Sequence, residues 1–183
     1  IPCPFGAEWL AAFANDVELL VRINPYYEFR HWKWTAKDRA GFFLRNHSNE
    51  RDLEASLTVR RPAPSVLRIE YDNGLKTATE ILIEAAPQGS QLTLTDYYGG
   101  ENRDQRLAEV DKSLKAWGEA LHLHFVRVKR WGWLAPWRWY MRRVWTPMKP
   151  SSRRIVWMMY LITVAELFFF MFVGLIWWVE YGR

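Results

Sequence analysis

Glu166 is the residue of this chain under the heaviest physical demand. It is the one Asp, Glu, Lys, Arg or His in the run from Ile155 to Val179, IVWMMYLITVAELFFFMFVGLIWWV, which contains no Pro. A carboxylate at the centre of a bilayer costs about 2.5–3.5 kcal/mol on insertion scales, which makes Glu166 a functional-site candidate, the plainer alternative being a protonated, neutral Glu in lipid. Thr163, Glu166, Phe170 and Gly174 recur at steps of three and four, which puts a hydroxyl, a carboxyl and a small residue on one helical face. Such faces suit close helix–helix contact and interhelical hydrogen bonding. Thr163, Glu166 and Gly174 are therefore the candidate intramembrane contact, and their partner must be another transmembrane helix.

The remaining titratable residues form no recognisable catalytic set. His122 and His124 lie two apart and would point to different faces of a helix, while His31 and His47 stand alone. Glu28, Glu54, Glu70, Glu80, Glu84 and Asp96 fall in alternating stretches and read as solvent-facing. The sequence holds no Gly-rich phosphate loop, no HExxH and no GxSxG. A single cysteine, Cys3, provides neither a disulfide nor a zinc-ligand set. No catalytic residue, metal site or cofactor is evident, and no acid–base pair is apparent.

The elements that position these residues follow from periodicity. The Ile155–Val179 run is apolar all round and roughly 37 Å long as a helix, enough to span a bilayer. Trp157, Tyr160, Trp177, Trp178 and Tyr181 supply aromatic anchors at its ends. Before it, RWGWLAPWRWYMRRVW interleaves Trp131, Trp133, Trp137, Trp139 and Trp145 with Arg138, Arg142 and Arg143. This pattern predicts an in-plane interfacial segment over residues 131–154, with indoles among the headgroups and guanidinium groups on phosphates. Interleaved arginines and aromatics can also grip single-stranded nucleic acid, but adjacency to a span favours lipid, and no nucleic-acid partner is expected. Membrane lipids and other transmembrane subunits are the expected partners.

Charge is unevenly placed along the 183 residues, whose formal net charge is +5. From Ala120 to Ala165 there are nine Lys or Arg and no Asp or Glu. Arg138, Arg142, Arg143, Lys149, Arg153 and Arg154 precede the span, and only Arg183 follows it. The positive-inside rule then predicts a single-pass protein, as in a bacterial inner membrane, with the N-terminal domain cytoplasmic and residues 180–183 outside.

Residues 1–130 read as one α+β domain. Phe5, Trp9 and Phe13 mark a first helix, with Pro4 in its first turn. Asp16 caps a second over Val17–Val21, which Asn24-Pro25 ends. From Tyr26 to Gly99 the period changes to two, giving six antiparallel strands with Tyr27, Phe29 and His31 on one face against Glu28, Arg30 and Trp32. Pro62 and Pro64 break the chain between strands, and Asp72-Asn73-Gly74 is a hairpin turn. A long helix over Arg103–Arg130 carries the stripe Leu107, Val110, Leu114, Trp117 and Leu121, with Gly118 allowing close approach.

Two short helices, a six-strand meander and one long helix resemble the helix-grip fold of the START-like, or SRPBCC, superfamily, which includes polyketide cyclase-like and coenzyme Q-binding members. VELLVRINPYYEFRHW is similar to that family's helix-to-strand junction, and RLAEVDKSLKAWGEALHLHF to its closing helix. The first strand departs from the pattern, being absent or reduced to Ile1 and Pro2. The resemblance implies a cavity between sheet and long helix, lined by Phe29, His31, Leu57, Tyr71, Ile81, Leu94 and Trp117. A bound lipid or quinone is the ligand class it implies, although the same residues could simply fill a core. Three functions follow: a non-catalytic accessory subunit of an integral membrane complex, a module presenting a lipid or quinone, and a cyclase-like enzyme. A reporter fused to the C-terminus and active only outside the cytoplasm is expected to be active; cytoplasmic activity would reverse the orientation.

Overall fold

A computed structural model describes residues 1–99 and 110–182. The chain divides into two compact units, residues 1–147 and 148–183. In the first, strand β1 (Pro2–Cys3) precedes helices α1 (Ala7–Ala14) and α2 (Val17–Arg22). Six strands follow: β2 (Tyr27–Trp34), β3 (Arg39–Asn46), β4 (Arg51–Ala63), β5 (Val66–Tyr71), β6 (Lys76–Ala86) and β7 (Gly89–Tyr98). Helices α3 (Leu114–Trp131) and α4 (Ala135–Tyr140) complete it, with a π-helical turn at Met141–Trp145. The second unit is one helix, α5 (Pro150–Tyr181).

The strands form one antiparallel sheet in the order β1-β7-β6-β5-β4-β3-β2. The first strand is thus present but only two residues long, pairing Pro2 with Gln91 and Cys3 with Ser90. Gly89 makes this approach possible, because a Cβ there would lie 2.3 Å from the Cys3 carbonyl oxygen.

The two short helices form where local chemistry dictates. Asp16 Oδ1 accepts from Leu19 N at 3.1 Å, capping α2 as expected. Phe5, Trp9 and Phe13 stack in sequence at 4.0 and 5.6 Å, and the last two meet the Phe125 ring of α3 edge-on. Pro4, however, lies outside α1, which starts at Ala7 after an extended Gly6. The core fills the space between sheet and helices, with Leu10, Leu20, Leu57, Ile69, Ile81, Leu92, Trp117, Leu121 and Phe125 at most 1% exposed.

Three expectations on the strands and the long helix need correction. His31 is exposed, whereas Trp32 packs with Phe29 and Phe42. The cause is a bulge. Phe29 pairs with Leu44 and His31 with Phe43, so Arg30 is an extra residue that inverts the alternation beyond it. Pro62 interrupts no strand, since a second bulge between Arg60 and Ala63 admits it within β4. The long helix starts at Leu114, and Val110 to Ser113 lie ahead of it. Leu107 and the predicted start at Arg103 fall outside the described residues.

Beyond the bulge, Trp32 belongs to the core face and His31 to solvent. Trp32→Ala is expected to destabilise the protein by about 2–3 kcal/mol, under the 3–5 of a fully buried aromatic. His31→Ala should change stability by less than about 0.5 kcal/mol. Thermal unfolding in detergent, followed by near-ultraviolet circular dichroism, checks both.

Candidate functional site

Alternation along β7 puts Leu92, Leu94, Asp96 and Tyr98 on the face that meets α3. Asp96 therefore points inward. Its side chain is 2% exposed, which overturns its reading as a solvent-facing carboxylate. On the neighbouring strand, Lys76 places Nζ 2.9 Å from Asp96 Oδ2 and 3.3 Å from Asp111 Oδ2. Asp111 precedes α3 and is itself buried. One buried cation thus joins the last strand to the entry of the long helix.

Most of the cluster is also hydrogen-bonded, the exception being Asp96 Oδ2, which is buried and meets Lys76 as an ion pair without a hydrogen bond. Asp111 Oδ2 also accepts from the Tyr27 hydroxyl, while Oδ1 accepts from Ser113 N at 2.9 Å, Ser48 Oγ at 3.0 Å and Asn46 Nδ2 at 3.1 Å. The Tyr98 hydroxyl donates to the Asp111 carbonyl at 3.1 Å. Thr79 Oγ1 donates to Asp96 Oδ1 at 2.6 Å, which leaves Tyr71 to donate to Thr79 at 3.4 Å. The Lys76 ammonium also lies 5.7 Å from the Tyr71 ring and 5.8 Å from that of Trp117. Next to it, Asn24 Nδ2 donates to Ser113 Oγ at 2.7 Å and ties the end of α2 to the same helix entry.

Electrostatics hold Asp111 ionised and Lys76 protonated. Burial raises the Asp111 carboxyl, but the Lys76 charge and the hydrogen bonds from Tyr27 and Ser113 override it and hold the group well below the ordinary range. Burial lowers Lys76, and the surrounding Tyr27, Tyr71, Asp96 and Asp111 outweigh it, leaving the amine protonated well above its usual range. Burial pushes Tyr27 and Tyr71 up, and it takes Tyr98, with help from Asp96, to about 12. A general acid or base works best with a pKa near the operating pH. The resolved shifts in this cluster all lead away from neutrality.

The cluster floors a cavity of about 200 Å³, walled by Phe42, Leu44, Leu53 and Tyr71 with Arg51 and Asn73 also lining it. Tyr71 is the one residue of the expected cavity that lines it. Leu57, Ile81 and Trp117 fill the core instead, and Trp117 Nε1 donates to the Leu20 carbonyl at 3.0 Å. Phe29 packs half-buried in the aromatic cluster, while Leu94 borders a separate open groove of about 810 Å³ between β7 and α3. His31 belongs to neither. No group of three or more His, Cys, Asp or Glu side chains among the described residues could hold a metal.

No family model, no curated protein and no solved structure matches this chain.

The residues expected at a membrane interface separate into two sets. Trp131, Trp133, Trp139, Arg138, Arg142 and Arg143 are exposed, whereas Trp137 and Trp145 are half-buried. Helix α5 spans 32 residues, beginning five residues before the apolar run with Pro150 in its first turn. It is long and apolar enough to cross a membrane. A Cβ at Gly174 would meet nothing within 4 Å, so this position of the Thr163–Glu166 face is open to a neighbour.

Removing the cation from the buried cluster leaves two carboxylates without a counter-charge. Lys76→Met is expected to lower stability by about 3–5 kcal/mol. The pH profile follows from the shifts. Asp111 is lowered in the fold, so its contribution is complete above the ordinary carboxylate pKa of about 4 and is lost as pH falls below it. Lys76 is raised, so its contribution is complete below about 10.4 and is lost as pH climbs past that value. These two groups alone leave the unfolding temperature unchanged between those limits and lower it on both sides. His124, which burial and then Arg127 lower to about 4, adds a loss that starts as pH falls below about 6.5, and Asp111→Asn should weaken the limb below about 4.

Proposed function

We propose that this chain is a membrane-anchored START-like subunit that assembles with other transmembrane helices and acts without catalysis. Filling of the domain interior is the observation that carries this proposal. Leu57, Ile69, Ile81, Trp117, Leu121 and Phe125 close the space between sheet and α3, and about 200 Å³ is left at one end. Small-molecule sites generally occupy about 300–1,000 Å³, so this cavity is short of the room an apolar carrier needs. The START-like assignment draws its support from element order: a first strand, two short helices, six meandering strands and a long helix.

Catalysis is disfavoured by the same cluster that fills the cavity floor. A cyclase-like mechanism needs a group that can exchange a proton near neutrality. Asp111, Lys76 and Tyr27 are all held away from it. A second reading, presentation of a lipid or quinone, is favoured by one feature only, the open groove bordered by Leu92, Leu94, Leu114 and Leu123. The six basic residues ahead of the apolar run, Arg153 and Arg154 among them already within α5, support a cytoplasmic domain in a membrane such as the bacterial inner membrane.

Purification in mild detergent followed by mass spectrometry separates these readings. Wild-type protein should co-purify with other integral membrane proteins. Glu166→Leu should insert normally and lose those partners severalfold or more, because the intramembrane hydrogen bond is gone. Undiminished co-purification of the Leu variant would remove Glu166 from the contact. A monomer carrying one lipid or quinone per chain would favour presentation instead.

A further inference from the structure

We infer that the outward face of the segment from Trp131 to Trp145 is a docking surface for a leaflet rich in anionic phospholipid. The inference rests on the membrane-anchored reading above and specifies the lipid chemistry it engages.

Burial divides the segment cleanly. Leu134, Trp137, Met141 and Val144 recur at steps of three and four and are turned partly away from solvent. The opposite face should then be polar. Instead Trp133 is 75% exposed, Trp139 63% and Tyr140 36%, interspersed with exposed Arg138, Arg142 and Arg143. Exposed indoles in water are unfavourable, and contiguous ones mark an interaction site. An acidic protein surface would satisfy the arginines but leave the indoles wet. A hydrophobic protein groove would do the reverse. The boundary of a lipid leaflet offers both an apolar layer and phosphates within one side-chain length.

The sign of charge selects the lipid. Among the described residues, Arg138, Arg142 and Arg143 make no ion pair with a carboxylate. Between Ala120 and Ala165 the sequence has no Asp or Glu to supply one. Three uncompensated guanidinium groups on a face that is also aromatic are complementary to a net-negative headgroup layer, and a zwitterionic layer would leave their charge unneutralised. Adjacency in sequence to α5, whose first residue is Pro150, keeps the segment next to that layer.

The full chain is reconstituted in nanodiscs of phosphatidylcholine alone and of phosphatidylcholine with phosphatidylglycerol, and amide hydrogen exchange is followed over residues 131–145. Protection should rise in the anionic discs, by about fivefold per engaged arginine, and fall back at high salt. R138Q/R142Q/R143Q should abolish the difference between the two lipids, whereas the corresponding Lys variant should keep most of it. Trp133→Ala with Trp139→Ala should reduce protection in both discs. Equal protection in the two lipids, or a difference that survives the Gln variant, overturns the inference while leaving the anchor standing. Protection that requires added single-stranded nucleic acid also overturns it. A chain that does not enter the discs overturns the anchored reading and the inference with it.

Discussion

The domain depends on one ammonium group. Lys76 lies between Asp96 of the last strand and Asp111 at the entry to α3. The connection between these elements in sequence is long, so their juxtaposition needs a specific tie. Buried charges are retained only when paired and hydrogen-bonded. Here the amine pairs with both carboxylates, and Tyr27, Ser48, Asn46, Ser113 and Thr79 supply most of the hydrogen bonds. Asp111 also accepts from the Ser113 amide beside the first turn of α3, where a negative charge meets the positive end of the helix dipole. The apolar core supplies bulk stabilisation without direction, and the ion cluster fixes where α3 begins.

Packing follows from that placement. With its entry held, α3 presents Trp117, Leu121 and Phe125 to the sheet at successive steps of four. Phe125 meets Trp9 and Phe13 of α1 edge to face, so the first helix is fixed by contact with α3. Gly118 brings the helix within 3.2 Å of the Ile1 side chain, measured from the position a Cβ would occupy. A pre-formed hollow has little room in such an arrangement. The small cavity that remains lies beside the polar cluster of Tyr27, Lys76 and Asp111.

Much of this was legible in the sequence, and the exceptions have physical causes. Strand alternation, the Asp16 cap, the Asp72-Asn73-Gly74 turn and the apolar C-terminal helix all leave local signals. The Asp96 inversion was also within reach, since Leu92, Leu94 and Asp96 share one parity. The error lay in treating a carboxylate as solvent-facing by type when its position said otherwise. Lys76 and Asp111 were not legible as a pair, because a contact across 35 residues leaves no mark in a single sequence. Asp111 was further hidden by a helical stripe that continued through it. The Arg30 bulge had no glycine to announce it, and one extra residue was enough to exchange the roles of His31 and Trp32. Thr163, Glu166 and Gly174 were placed by helical spacing alone, which describes one face and leaves the partner undefined.

That bulge also bears on how the protein behaves in company. Strand β2 is one margin of the sheet, and a straight, flat margin invites pairing with a neighbouring molecule. The extra residue at Arg30 interrupts the regular spacing of amide and carbonyl groups along this border and increases its twist. Arg30, His31 and Lys33 then project from it into solvent. A straight border would be a more frequent hazard wherever molecules are crowded. A kinked, cationic border resists the strand-by-strand accretion that such crowding promotes. The irregularity that exchanges the roles of His31 and Trp32 thus also makes this border a poorer template for strand pairing.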